Sequence, residues 1–298
     1  MFYFLNIISE SKALMKLHLV DDGVPSISKE IILEACKKRG LDTIVHEAAS
    51  FVFEPERKAQ LGDLLFRPAI SSAAMRVEQY LFQPGVATFY SEPFGIYFNN
   101  NNATFLYELN DIPIPRTFYL HNTNRDAIDY YVEQLGGYPV ILKVLGHSSG
   151  VGVMKLDNTE SLYSVVDFVC ANGVAPLLCA FIPDAVHWRC VVVGKEVVAA
   201  YINPKDKDDF RTYGTTDSNE VFSNASPEID ELSVKAVTVL GNEFGGVDVL
   251  QHPSGRCYVL EANFPCYYAH AQKIGGIDVA GKMIDYLLKK QSSFTQLT

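Results

Sequence analysis

The chain has 298 residues, 48% of them apolar and 20% charged, and a formal net charge of -10. That length supports two or three packed layers or a pair of small domains, and the composition excludes a disordered or fibrous chain. The acidic balance argues against a nucleic-acid partner, whose binding rests on a basic face that releases counterions, and no stretch reaches the about 20 consecutive apolar residues of a membrane span.

The opening "MFYFLNIISESK" has a short apolar run without a basic n-region or a small-residue cleavage site, so a cytoplasmic protein is expected. Six scattered cysteines, with no C-x-x-C pair, fit neither a zinc knuckle nor a disulfide framework and read as small core residues in a reducing compartment.

From Met15 the pattern runs strand "MKLHLV", a helix from Ser28 to Arg39 stopped by Gly40, and strand "DTIVHEA", a βαβ opening. A third strand in "GDLLFRP", a helix around "AAMRVEQYLF" and a short strand "VATFYS" continue the alternation to residue 93. This first block reads as an open, mostly parallel α/β sheet. An asparagine tract before a helix, then the prolines of "DIPIPRT", mark a domain junction.

Beyond it come a helix over 125–135, strand "YPVILKVL", the glycine loop "GHSSGVG", strand "VMKL", a helix over 159–171 and strand "PLLCAFI". Two hairpin-like segments follow, "HWRCVVVGKEVVAAYI" and "GGVDVLQHPSGRCYVLEAN". The helix between them is expected to align Ile229, Leu232, Ala236, Val239, Leu240 and Phe244 on one face. Antiparallel hairpins mixed with helices predict α+β halves after the α/β block.

In the last hairpin, pairing outward from the turn at His252 to Gly255 places Asp248 opposite Val259, with Glu261 a diagonal step away and Asn263 next on the same face. Three oxygen ligands then converge. Hard divalent cations such as Mg2+ take such ligands and keep water and nucleotide phosphates as the rest, so a magnesium-nucleotide site fits; solvated strand acids are the plainer alternative.

The loop of Gly146, Ser148, Ser149, Gly150 and Gly152 follows a strand that carries Lys143. Glycines let backbone N–H groups approach a phosphate and the lysine adds a point charge; a simple hairpin turn is the competing reading. The loop is neither a Walker A P-loop nor a G-x-G-x-x-G turn, since strands flank it on both sides.

Lys143, the glycine loop, "CAFIP", "HWRCVVVG", "DFRTYG", "GVDVL" and "YVLEANFP" occur in one order that resembles the ATP-grasp superfamily, in detail the RimK-like and lysine-biosynthesis-type ligases, over roughly residues 94 to 290. The resemblance implies an N-terminal α/β domain over 1–93 followed by a two-subdomain ATP-grasp fold, with a central subdomain over 94–182 and a C-terminal one over 183–298. It implies ATP held by Lys143 and the glycine loop, with adenine on the linking strand at Ala180, Phe181 and Ile182. It also implies Mg2+, replaceable by Mn2+, on Asp248, Glu261 and Asn263, with Arg211 and Arg189 steadying the transferred phosphoryl group. The implied activity is amide formation between a carboxylate and an amine through an acyl phosphate, on an amino acid or peptide, by a homodimer or tetramer.

The chain departs from the family pattern at three places. The lysine ahead of "DIPIPRT" is replaced near Asn100, the usual Gln-Glu before the linking aromatic is Cys179-Ala180, and the acid of the D-x-R segment is His187, with Asp184 as a candidate replacement. Two other readings stay open: a ligase that crosslinks a precursor peptide, and an ATP-binding interaction protein that has lost the chemistry.

Overall fold

The computed structural model describes residues 15–97, 103–144, 150–204, 209–211 and 221–295. The chain divides into two compact units, one built from residues 1–98, 267–269 and 278–298, the other from 99–266 and 270–277.

In the first unit, strands β1 (Lys16–Asp21), β2 (Asp42–Glu47) and β3 (Leu64–Phe66) form a parallel sheet of order β2-β1-β3. Helix α1 (Ser26–Lys38) crosses from β1 to β2, the connection a parallel pair requires. Helix α2 (Ser72–Leu81) starts where the Ser71 side chain accepts from the Ala74 N–H. The expected strand at "VATFYS" reduces to isolated bridges at Ala87, which pairs in parallel with Leu64, and at Tyr90. Tyr90 turns its hydroxyl toward the buried Arg67–Glu78 pair.

Within this sheet His18 lies between Asp63 and His46. Its Nε2 is 3.1 Å from Asp63 Oδ2 and its Nδ1 is 2.9 Å from His46 Nε2, and all three side chains are buried. Burial, the neighbouring His18 and the charge of Arg57 lower the His46 pKa to about 4.

The second unit contains two antiparallel sheets. After helix α3 (Ala103–Leu109), strand β4 (Thr117–Tyr119) and helix α4 (Arg125–Gln134) lead into the hairpin of β5 (Val140–Lys143) and β6 (Val153–Leu156). Helix α5 (Thr159–Ala171) and β7 (Leu177–Ala180) complete a four-stranded sheet of order β4-β7-β5-β6. One face is closed by α4 and α5, through a core that includes Ile128, Val132, Leu142, Leu162, Val166 and Leu178.

The second sheet has the order β10-β9-β8-β11-β12, from β8 (Val186–Val193), β9 (Glu196–Asn203), β10 (Val221–Phe222), β11 (Phe244–Gln251) and β12 (Cys257–Asn263). Helix α6 (Pro227–Val239) is capped by Ser226, has Pro227 in its first turn, and carries Glu228 and Asp230 near the positive end of its dipole. Its Ile229, Ala236 and Val237 pack on Trp188, Cys190, Val247 and Val259. The helix ends earlier than its apolar periodicity predicts: Gly241, at φ 75°, turns the chain out, so Phe244 opens β11 instead of extending the helical stripe. Short α7 (Ala269–Gly275) follows, and α8 (Val279–Thr295) joins the first unit, packing against α1. Among the described residues no helix is long and apolar enough to cross a membrane.

Candidate functional site

With α6 covering one face of the five-stranded sheet, period-2 alternation gives the other face to His187 and Arg189 on β8 and to Gly246 and Asp248 on β11. On β12 simple alternation fails. Val249 pairs with Val259 but Asp248 pairs with Glu261, which leaves Leu260 as a β-bulge. Asp248 therefore faces Glu261 directly rather than Val259, a correction to the register expected from the turn. The bulge has a structural consequence: Cys257, Val259 and Ala262 face the core, while Glu261 and Asn263 face outward with Asp248. If Leu260 were paired in a regular ladder instead of bulged, Glu261 would keep the phase of Val259 and point into the core.

Asp248 is buried, and both of its oxygens have partners: Arg189 Nη1 donates to Oδ2 at 2.7 Å and His187 Nε2 lies 3.1 Å from Oδ1. Burial alone would raise its pKa, but Arg189 and the His187 hydrogen bond outweigh it and hold the carboxyl well below the usual carboxylate range. Glu261 behaves oppositely. Crowding by protein and the Asp248 charge push its pKa up, while a 2.7 Å hydrogen bond from Asn263 Nδ2 and the charge of Lys143 oppose the rise. A proton or a cation is therefore favoured between the two acids. Burial pushes the Cys266 thiol beside Arg189 up to about 12, so it fills space and is not a thiolate nucleophile.

Gly246 is required by this arrangement. A Cβ there would come within 2.6 Å of Arg189 Nη2, 2.8 Å of its Cζ and 2.7 Å of Cys266 Cβ, so the guanidinium occupies the space a side chain would fill.

The four-stranded sheet contributes its own open face in two cross-strand rows. One holds Tyr119, Leu177, Lys143 and Val153, the other Thr117, Cys179, Ile141 and Lys155. Ile141, Leu177 and Cys179 form its apolar floor, with Tyr119, Val153 and Phe181 packed around them. The Lys155 ammonium sits 4.9 Å from the Phe181 ring centroid. Phe181 and Ile182 continue past the last ladder pair, Val140 with Ala180.

Gly150 and Gly152 adopt φ of 73° and 78°, a region that a side chain disfavours, and close the loop back onto β5 through the Val144 N–H to Gly152 carbonyl bond. Arg211 is gripped by both carboxylate oxygens of Asp209 and donates from Nη1 to the Gly150 carbonyl at 3.1 Å. Asp184 lies in the exposed β7–β8 turn at φ 54°, a conformation Asp tolerates better than most residues. Gly146, Ser148, Ser149 and Asn100 lie outside the described residues.

The fold thus brings Asp248, Glu261, Asn263 and Arg189 together, sets Lys143 where its charge acts on Glu261, and places Arg211 on the glycine loop. Motif spacing did not reveal the bulge at Leu260, the clearance at Gly246, or the contacts of His187 with Asp248 and with Asn203, whose Nδ2 is 3.4 Å from His187 Nδ1. The paired glycines of "GGVDVL" were the available signal for the clearance.

Residues 101–287 match the RimK-like ATP-grasp domain. The chain belongs to this ATP-grasp family. A probable alpha-L-glutamate ligase of Picosynechococcus is 32% identical over 180 residues, 60% of this chain and 59% of that protein. The ribosomal protein bS6–L-glutamate ligase of Escherichia coli is 29% identical over 179 residues, 59% of this chain and 58% of that protein. The chain thus spans less than two thirds of the length of these curated relatives.

Among solved structures, the ATP-grasp ligase PsnB complexed with minimal precursor has a TM-score of 0.69 at 16% identity, covering 93% of this chain and 99% of that one. A RimK domain ATP-grasp protein from Sphaerobacter thermophilus has a TM-score of 0.66 at 20% identity, covering 92% and 99%. Both likenesses show the ATP-grasp fold, with its preceding parallel α/β sheet.

Proposed function

We propose that this chain is an ATP-dependent carboxylate–amine ligase that forms an amide bond on an amino acid or peptide and releases ADP and phosphate. The observation that carries the reading is the position of Lys143 on one sheet, close enough to act on Glu261, which directly faces Asp248 on the other. That is a cation within electrostatic reach of an acid pair, the combination that suits a metal-bound triphosphate.

The donor set fits Mg2+. It consists of two carboxylates and a carboxamide, the oxygen ligands that hard divalent cations take. Asn263 spends its amide nitrogen on Glu261, leaving its carbonyl oxygen as the ligand atom. When bound, Mg2+, or Mn2+ in its place, would neutralise phosphate charge.

In this reading Lys143, Gly150 and Gly152, with Gly146, Ser148 and Ser149, hold the phosphates. The base lies on the Ile141 and Cys179 floor against the backbone of Ala180, Phe181 and Ile182, and Asp184 is the candidate ribose contact. Arg211, kept at the loop by Asp209, and Arg189, kept at the acids by Asp248, steady the transferred phosphoryl group. The substrate carboxylate becomes an acyl phosphate, and the amine nitrogen then displaces phosphate. The relatives named as glutamate ligases favour glutamate as one of the two groups joined.

The test is incubation of the protein with ATP, Mg2+ and pools of amino acids and short peptides, read by mass spectrometry. The reading predicts ADP together with a species lighter by one water than its two precursors. Nucleotide bound but never turned over across broad pools would favour the ATP-binding interaction protein, which the replacement at Asn100 otherwise supports.

A further inference from the structure

Both oxygens of Asp248 are held by side chains, and one of the two partners is an imidazole, His187, where the resemblance implies an acid. A carboxylate at position 187 would sit against Asp248 as a like charge and compete with it for Arg189. The imidazole of His187 instead presents a donor to Asp248 Oδ1, while Arg189 holds Oδ2. Asn203 Nδ2 lies 3.4 Å from His187 Nδ1, which suits an imidazole protonated on Nε2 and accepting on Nδ1. His187 and Asn203 are buried and face each other directly across β8 and β9, so this chain of contacts is built into the sheet register.

We propose that His187 is a positioning residue for the metal site. It clamps the Asp248 carboxylate from one side as Arg189 does from the other, fixing which lone pairs Asp248 turns toward Glu261. The proposal rests on the reading of Asp248 as a metal ligand and deepens it: an imidazole shares with the guanidinium the support of that ligand. Removing such outer partners weakens metal affinity because the ligand must then be ordered on binding.

The experiment is Mn2+ binding by electron paramagnetic resonance, with a non-hydrolysable ATP analogue present, for the wild type, His187→Gln and His187→Leu, alongside the thermal midpoint of each. Glutamine places an amide nitrogen near the position of His187 Nε2; leucine fills similar space without a donor. Expected is a loss of about tenfold to 100-fold in Mn2+ affinity for His187→Leu, with His187→Gln restored to within about threefold of wild type. His187→Leu binding Mn2+ as tightly as wild type while only its thermal midpoint falls would overturn the proposal and reduce His187 to a packing role. Equal weakening in both variants would also overturn it, because the donor would then not be what matters. Absence of Mn2+ binding in the wild type would overturn the metal reading itself, and this proposal with it.

Discussion

Asp248 and Glu261 stand directly opposite each other on β11 and β12, and the unpaired Leu260 is what puts them there. A regular hairpin would hold Glu261 in the phase of Val259, which belongs to the core beneath α6. The acid pair therefore depends on the ladder leaving Leu260 unpaired as much as on the identity of the acids.

Deleting Leu260 removes the bulge and leaves Glu261 directly after Val259, so regular alternation keeps Glu261 and Asn263 on the face of Asp248. The expected result is metal-dependent nucleotide binding retained to within about tenfold, read by titration calorimetry, with urea unfolding as the check on stability. Loss of binding in a folded deletion variant would mean that the bulge geometry itself, and not only the facing of the acids, is required.

Gly246→Ala tests the guanidinium position. The added methyl would have to displace Arg189 or Cys266, at about 1–3 kcal/mol of stability by overpacking. Because Arg189 is the ion-pair partner of Asp248, activity should fall further than stability alone explains, by about 10–100-fold in kcat/KM. A variant with unchanged kcat/KM would show that Arg189 has room to move without consequence.

Acid should weaken the first unit through His46. Its folded pKa, about 4, lies below the ordinary value of 6.5, so between these limits the unfolded chain binds the extra proton and the folded chain does not. Stability is therefore flat above pH 6.5 and falls as the pH drops from 6.5 toward 4, by up to roughly 3 kcal/mol from this residue. Asp63, also held low once its His18 and backbone hydrogen bonds outweigh burial, adds loss at lower pH. Urea unfolding at a series of pH values should show this slope, and His46→Gln should flatten it; an unchanged slope would remove His46 as its source.

Much of the fold was legible because its signals are local. Alternation marked the strands, Gly40 marked the end of the first helix, and the order of the glycine loop, Lys143 and the acid-bearing hairpin pointed to the family. The illegible features depend on what lies across the sheet. Pairing symmetrically about His252–Gly255 assumes equal strand lengths, and nothing in "YVLEAN" announces that Leu260 is extra. Phe244 has the right spacing to extend α6, yet the left-handed turn at Gly241 takes it into a strand. His187 appeared only as a missing acid, because its value lies in a contact with a residue 61 positions away.

The most direct test of the central claim, that Asp248, Glu261, Asn263 and Lys143 form one magnesium–nucleotide site, is titration calorimetry of a non-hydrolysable ATP analogue with and without Mg2+, for the wild type and Glu261→Gln. The account predicts saturable binding that Mg2+ strengthens, and a loss of that Mg2+ dependence in Glu261→Gln. The variant loss should be about 100-fold or more, the scale of one preorganised charge contact. Nucleotide binding that is indifferent to both Mg2+ and Glu261→Gln would contradict it.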